Sequence, residues 1–231
     1  MLFIFDWDGT LLDSTGRIVD AMRAAAAELG IEVLSVEQVR NIIGLGLPEA
    51  IIALYPLLSV SDRELLQAAY SRHYVAADQQ PCAWFPTVRE TLHQLKGAGF
   101  TLAVATGKSR RGLKRVLEQL GMLDFFHATR CADETQSKPH PQMLHELVQE
   151  LSVPLEHAVM IGDTEYDMAM AEAAGMARIG VSYGAHAAER LWSYRPELVM
   201  DEFKQLLTWQ QSKANSEHRD SGLLQQRDQT N

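Results

Sequence analysis

The sequence predicts an α/β protein: a doubly wound, parallel sheet whose first strand is separated from the rest by an all-helical insert. Three observations predict it. A short apolar run, Leu2-Phe3-Ile4-Phe5, ends abruptly in the acidic turn Asp6-Trp7-Asp8-Gly9-Thr10. From about Ser14 to Trp84 the apolar spacing is helical, with no competing strand signal. After Pro86, strand-length apolar runs alternate with helical ones, the pattern of strand–helix–strand units on a parallel sheet.

Taken in order, residues 2–5 read as a short buried strand, since all four are apolar. Gly9 lets the following turn double back and come close to a ligand. In the insert, Ile18, Met22, Ala25, Ala26 and Leu29 recur at helical spacing, and Gly30 is placed to stop that helix. Pro48 suits the first turn of a helix running to Tyr55. Ser61 with Glu64 reads as a capping box that opens a third, longer helix.

Beyond Pro86, Thr87 with Glu90 reads as a second capping box, with Leu92 and Leu95 on one face of the helix. Phe100 to Ala105 is a predicted buried strand. Ser109 caps a helix ending at Gly121, and Phe126 to Thr129 is a short strand. Pro141 starts a helix, Ala158 to Ile161 is a strand, and Glu165 to Ala174 is a helix closed by Gly175. Ala177 to Val181 and the weaker Leu198 to Met200 complete the sheet. The expected division is therefore an α/β core from 1–13 and 85–209, a helical insert at 14–84, and a polar, disordered tail at 210–231.

Composition narrows the function. Hydrophobic residues are 46% and charged residues 22% of the 231, ordinary for a soluble globular chain. A net charge of −9 argues against nucleic acid or an anionic membrane as the main partner. Two cysteines, Cys82 and Cys131, are too few for a disulfide framework, so a reducing cytoplasm is expected. The apolar N-terminal stretch is interrupted at once by Asp6, so it is neither a signal-peptide core nor a membrane span.

The chemistry sits at the strand ends. Ligands in open α/β sheets bind outside the carboxyl ends of the strands. Asp6 and Asp8 follow one such end, and Asp163 and Asp167 follow another, behind Ala158-Val159-Met160-Ile161. Two like charges about 6 Å apart repel by roughly 3 kcal/mol at an effective dielectric near 20. Four carboxylates converging this way need a cation. A hard divalent ion with oxygen ligands fits, and Mg²⁺ is expected where a phosphate shares the coordination shell. Two nucleotide-binding patterns fail. Gly107-Lys108-Ser109 resembles the end of a P-loop, but Leu102 stands where the loop requires glycine. Gly44-Leu45-Gly46 has neither a preceding strand nor a third glycine.

Four segments in order resemble the signatures of the haloacid dehalogenase-like hydrolases, whose core is Rossmann-like. They are Asp6 to Thr10, Val104-Ala105-Thr106-Gly107-Lys108, Lys138-Pro139, and Gly162-Asp163-Thr164-Glu165-Tyr166-Asp167. The resemblance extends from Leu2 to about Trp209. It implies that the insert at 14–84 is a mobile cap, that Asp6 is a nucleophile forming an aspartyl-phosphate, and that Asp8 is the acid/base. It further implies that Asp163 completes a Mg²⁺ site with Asp6 and the backbone carbonyl of Asp8, and that Asp167 belongs to that metal site, holding metal-bound water or orienting another ligand. Thr106, Gly107 and Lys138 would bind the phosphoryl group. Gly44 and Gly46 resemble the substrate-specificity loop of phosphoglycolate phosphatase-like members, and Arg40 stands near enough to meet a substrate anion, the alternative being an ordinary surface arginine.

The expected activity is thus a Mg²⁺-dependent phosphatase acting on a small phosphorylated metabolite, phosphoglycolate first and a sugar phosphate or nucleoside monophosphate next. The partner is that small phosphate ester, with no nucleic acid or membrane, on a monomer or weak dimer. Asp8 argues against dehalogenation and phosphonate cleavage, whose enzymes lack an aspartate there. A phosphosugar mutase keeps both aspartates and remains an alternative; a non-catalytic binding protein is a third.

Overall fold

Among the described residues, six strands form one sheet in the order β3-β2-β1-β4-β5-β6, every neighbouring pair parallel. They are β1 Leu2–Phe5, β2 Thr101–Thr106, β3 Ala128–Cys131, β4 Ala158–Gly162, β5 Ala177–Val181 and β6 Leu198–Met200. The computed structural model describes residues 1–77 and 82–214. Helices cover both faces, as a doubly wound sheet requires: α5 Val88–Gly97, α6 Arg110–Leu120, α7 Gln142–Glu150, α8 Glu165–Ala174 and α9 Ala188–Trp192.

The period-two alternation of a strand divides its side chains between two cores. Phe3, Phe5, Leu102, Val104, Val159 and Ile161 pack on one face with α5 and α6. Leu2, Ile4, Ala103, Ala105, Ala158 and Met160 pack on the other with α7 and α8. Strands buried on both faces must be apolar at every position, which is why these runs stand out in the sequence.

Between β1 and α5 the described residues form four helices: α1 Thr15–Glu28, α2 Val36–Arg40, α3 Leu47–Leu54 and α4 Val60–Ala77. They bury a separate apolar cluster, with Met22, Ala25, Ala26, Val39, Ile51, Leu66 and Ala69 at its centre. The two connections to the sheet run side by side. Asp13 N–H donates to Ala83 O, Phe85 N–H donates to Leu11 O, and Leu12 bridges Trp84 antiparallel.

Local signals were placed correctly at some termini and misplaced at others. Ser109 accepts from Gly112 N–H at the start of α6, which ends in a left-handed Gly121. Gly175 closes α8 in the same way. In place of the box expected at Ser61 and Glu64, a cap forms two residues earlier: Ser59 Oγ accepts from Asp62 N–H and donates to Asp62 Oδ2. Thr87 has φ 65°, away from the extended backbone of a capping residue, and its hydroxyl accepts from Lys204 N–H instead. Phe126 precedes β3, because the ladder with β2 begins at Ala128 and the ring is used to fill the core. Helical backbone over 205–214 reaches into the stretch expected to be a tail; 215–231 lie outside the described residues. No helix among the described residues is long and apolar enough to cross a membrane.

Candidate active site

Strand order reverses at β1: the chain moves outward to β2 and β3, then returns to place β4 on the other side of β1. That switch point opens a crevice at the carboxyl ends of β1 and β4. Asp6 follows β1 directly, and Asp163 follows β4. Asp6 N–H donates to Ile161 O, which keeps the two strand ends in register as they enter the site.

Asp6, Asp163 and Asp167 each present a carboxylate oxygen, all within 4.8 Å of one another and all buried. Lys138 enters from the loop before α7, its side chain removed from water, with Nζ 2.6 Å from both Asp6 Oδ1 and Asp167 Oδ1. Asp167 also accepts from the backbone and hydroxyl of Thr164, whose side chain in turn caps α8. Asp163 accepts from the Thr10 hydroxyl at 2.8 Å and from Ala185 N–H at 2.7 Å. Asp6 Oδ2 alone in this group is buried with no hydrogen-bond partner.

The electrostatics follow from burial and crowding. Burial pushes Asp6 well above the usual carboxylate range; Lys138 opposes this, while Asp167 and Asp163 add to it. Burial, then the Asp167 charge, push Asp163 up to about 7, against the hydrogen bonds from Ala185 and Thr10. For Lys138 burial works against the ammonium, but the charges of Asp167 and Asp6 outweigh it and the net shift is upward. Three buried carboxylates thus crowd around one lysine, which pairs with two of them.

Space is as tight as charge. A Cβ on Gly9, which has φ 86°, would lie 2.2 Å from Asp163 Oδ2, and one on Gly184 would lie 2.2 Å from Asp163 Cβ. Both positions must be glycine for the loops to close over that aspartate.

Asp8 belongs to a second group. Lys108 Nζ lies 2.8 and 2.9 Å from its two oxygens, and Ser14 Oγ donates to Oδ1 at 2.5 Å. Tyr74, on α4 of the insert, places its hydroxyl 3.1 Å from the same ammonium. Burial opposes the charge on Lys108, but Asp8 and then Tyr74 raise it overall. Thr106 ends β2 fully buried; its oxygen accepts from Lys108 N–H, so its own proton is available to another acceptor.

Above these residues, between the sheet and the insert, is a cavity of about 750 Å³ bordered by Asp6, Asp8, Gly44, Gly107 and Lys108. Gly107 lets the core approach the insert, since a Cβ there would stand 2.5 Å from Leu45 O and 2.7 Å from Gly44 O. Gly46 borders the same junction, its N–H donating to Ser137 Oγ at 2.7 Å. Arg40 is not brought to the cavity. It is exposed and donates to Gly184 O at 3.0 Å, so its guanidinium fastens the insert to the loop that covers Asp163.

Sequence reading gave Asp8 its place but missed the side chains that surround it. Asp8 and Lys108 are 100 positions apart, and a lysine opening a helix ordinarily faces solvent. Thr10 offered a faint signal by closing the acidic motif. Ser14, Tyr74, Gly184 and Ala185 offered none.

The haloacid dehalogenase-like hydrolase family model matches residues 3–181. The chain is 37% identical over 213 residues to "Probable phosphatase IndB" of Dickeya dadantii, covering 89% of this chain and 91% of that protein. It is 34% identical over 214 residues to a phosphoglycolate phosphatase of Vibrio parahaemolyticus, covering 89% and 94%. In fold it is similar to a crystal structure described as a predicted phosphoglycolate phosphatase from Haemophilus somnus. The TM-score is 0.82 and the identity 23%, over 90% of this chain and 97% of the other. Matched from β1 through β5, with its carboxylates gathered at the switch point of the sheet, the chain belongs to the haloacid dehalogenase-like hydrolase family.

Proposed function

We propose that the protein is a Mg²⁺-dependent phosphomonoesterase that works through an aspartyl-phosphate on Asp6. The observation that carries this reading is the buried group of Asp6, Asp163, Asp167 and Lys138 beneath a cavity, with Asp6 Oδ2 left unpaired. An orphaned buried carboxylate oxygen among raised carboxylates fits a hard cation, and Asp6, Asp163 and Asp167 would hold it together with the backbone carbonyl of Asp8. Bound there, Mg²⁺ would offset charge on the phosphoryl oxygens.

In this reading an Asp6 oxygen attacks phosphorus as the ester oxygen leaves. Asp8, at the edge of the cavity, gives that oxygen its proton, with Lys108 and Ser14 fixing the direction of its carboxyl group. Asp8 then takes a proton from water as the water attacks the acyl phosphate. Inorganic phosphate leaves and Asp6 is restored. The Thr106 hydroxyl, the Gly107 N–H and Lys138 bind phosphoryl oxygens throughout. Residues 14–84 act as a cap hinged at the paired connections near Asp13-Ser14 and Trp84-Pro86, excluding water when closed.

The names of the similar proteins make phosphoglycolate the first ester to assay. The deciding experiment is release of inorganic phosphate from p-nitrophenyl phosphate and phosphoglycolate, with Mg²⁺ and after chelation. Release that survives exhaustive chelation, or turnover that survives Asp6→Asn, would overturn the reading.

A further inference from the structure

The cavity exceeds what a phosphoryl group on a two-carbon acid requires. Its volume of about 750 Å³ falls within the roughly 300–1,000 Å³ of pockets that enclose drug-sized ligands. Its lining is divided. The floor is polar, built from Asp6, Asp8, Gly107 and Lys108, whereas the insert contributes the apolar side chains of Ile18, Met22, Ile42, Ile43, Tyr70 and Val75, with Glu49, Gln67, Ser71 and Arg72 among them. Against the apolar part of that lining, groups bonded to water would lose those bonds, whereas a flat hydrocarbon face would not. Val75 remains 48% exposed there, apolar surface that a ligand would cover.

Two further features favour a flat ring over an alkyl chain. Tyr70 and Tyr74 border the cavity one turn apart on α4, with ring centroids 5.8 Å apart. Arg111, in the first turn of α6, also borders it and makes no hydrogen bond or ion pair among the described residues. A guanidinium can stack on an aromatic ring or donate to oxygens on its edge.

We propose that the natural substrate is a phosphate monoester whose leaving group carries an aromatic ring, seated against α1 and α4 with its edge toward Arg111. The proposal rests on the phosphatase reading and narrows it. The shared chemistry, a flat apolar body on a monoester, has two sources: nucleoside monophosphates and simple aryl phosphates.

The test compares kcat/KM of the full-length protein with Mg²⁺ on phosphoglycolate, glucose 6-phosphate, the nucleoside 5′-monophosphates and 1-naphthyl phosphate. A ring-bearing ester is expected to exceed both phosphoglycolate and glucose 6-phosphate by about tenfold or more. The better of the two ring arms identifies the source. Phosphoglycolate or glucose 6-phosphate as the best substrate overturns the inference and leaves the phosphatase reading standing; no release from any ester overturns both. Val75→Trp narrows the cavity from an exposed position and is expected to cut kcat/KM for the ring-bearing ester about tenfold relative to phosphoglycolate. An unchanged ratio overturns the placement of the ring.

Discussion

Lys138 and Asp6 form an ion pair almost wholly out of water, Nζ to Oδ1 at 2.6 Å with side-chain exposures of 0% and 1%. The same ammonium serves Asp167 at an equal distance. One lysine therefore holds two carboxylates in place while a third, Asp163, relies on a hydroxyl and a backbone N–H.

Removing that lysine should be costly. Lys138→Met strands two buried carboxylates, and losing one partner of a buried pair typically destabilises by about 3–5 kcal/mol. Urea unfolding should show a loss of this size together with loss of turnover. Asp6→Asn retains an oxygen for Lys138, so its stability should stay within about 1 kcal/mol of wild type. Its turnover should fall by more than about a hundredfold. A large stability loss for Asp6→Asn would show that the carboxylate is mainly structural.

Mg²⁺ should stabilise the folded protein apart from any effect on rate. A ligand at about one hundred times its Kd contributes roughly 2.7 kcal/mol. Differential scanning fluorimetry should show Tm rising with Mg²⁺ and the rise shrinking in Asp163→Asn. An equal rise in both proteins would place the cation elsewhere.

Gly107→Ala puts a methyl group 2.5 Å from the Leu45 carbonyl oxygen, which is backbone and yields only by moving the loop. Overpacking of this kind costs about 1–3 kcal/mol. The expected result is a higher KM or lower kcat for the best metabolite, with a smaller effect on p-nitrophenyl phosphate, which makes little use of the insert. Equal losses on both would show that the site itself is distorted.

Acid should loosen the junction between insert and core. His186 is buried; its Nδ1 accepts from Glu165 N–H, and Nε2 lies 3.2 Å from Asn41 O on the insert. Burial, then Arg190, hold its pKa below the ordinary value. Below about 6.5 the unfolded chain therefore binds more protons than the folded one, and stability is lost as pH falls through that value. Asp163 and Asp6, whose pKa values are raised, work in the opposite direction, so the test is a difference: across this window the Tm of wild type should fall relative to that of His186→Gln. Parallel profiles would remove His186 as the cause.

What could be read from the sequence depended on how local the cause was. The strands announced themselves because both faces of the sheet are buried, so Leu2 to Phe5 and Ala158 to Ile161 are apolar throughout. Asp6, Asp163 and Lys138 were legible because their motifs stand at strand and helix ends, and the fold converges such ends at one crevice. Caps were less certain, since Ser59 with Asp62 and Ser61 with Glu64 satisfy nearly the same pattern two residues apart. The pairing of Lys108 with Asp8, and the engagement of Arg40 by Gly184, depend on how the insert seats on the sheet. Nothing within a few residues of those positions records that contact.

The bridged connections at Leu12 and Trp84 bear on how such a chain is assembled and how it varies. β1 and β2 are adjacent in the sheet although Leu2 pairs with Thr101, far along the chain. Because the two ends of the insert meet, its covalent connection to the sheet is a narrow neck. Closing a longer loop costs little extra, about 0.6 kcal/mol for each doubling of its length. The neck makes the helical segment a cassette, which can be lengthened, replaced or reshaped while the pairing of β1 with β2 continues to see the same two adjoining strands of chain.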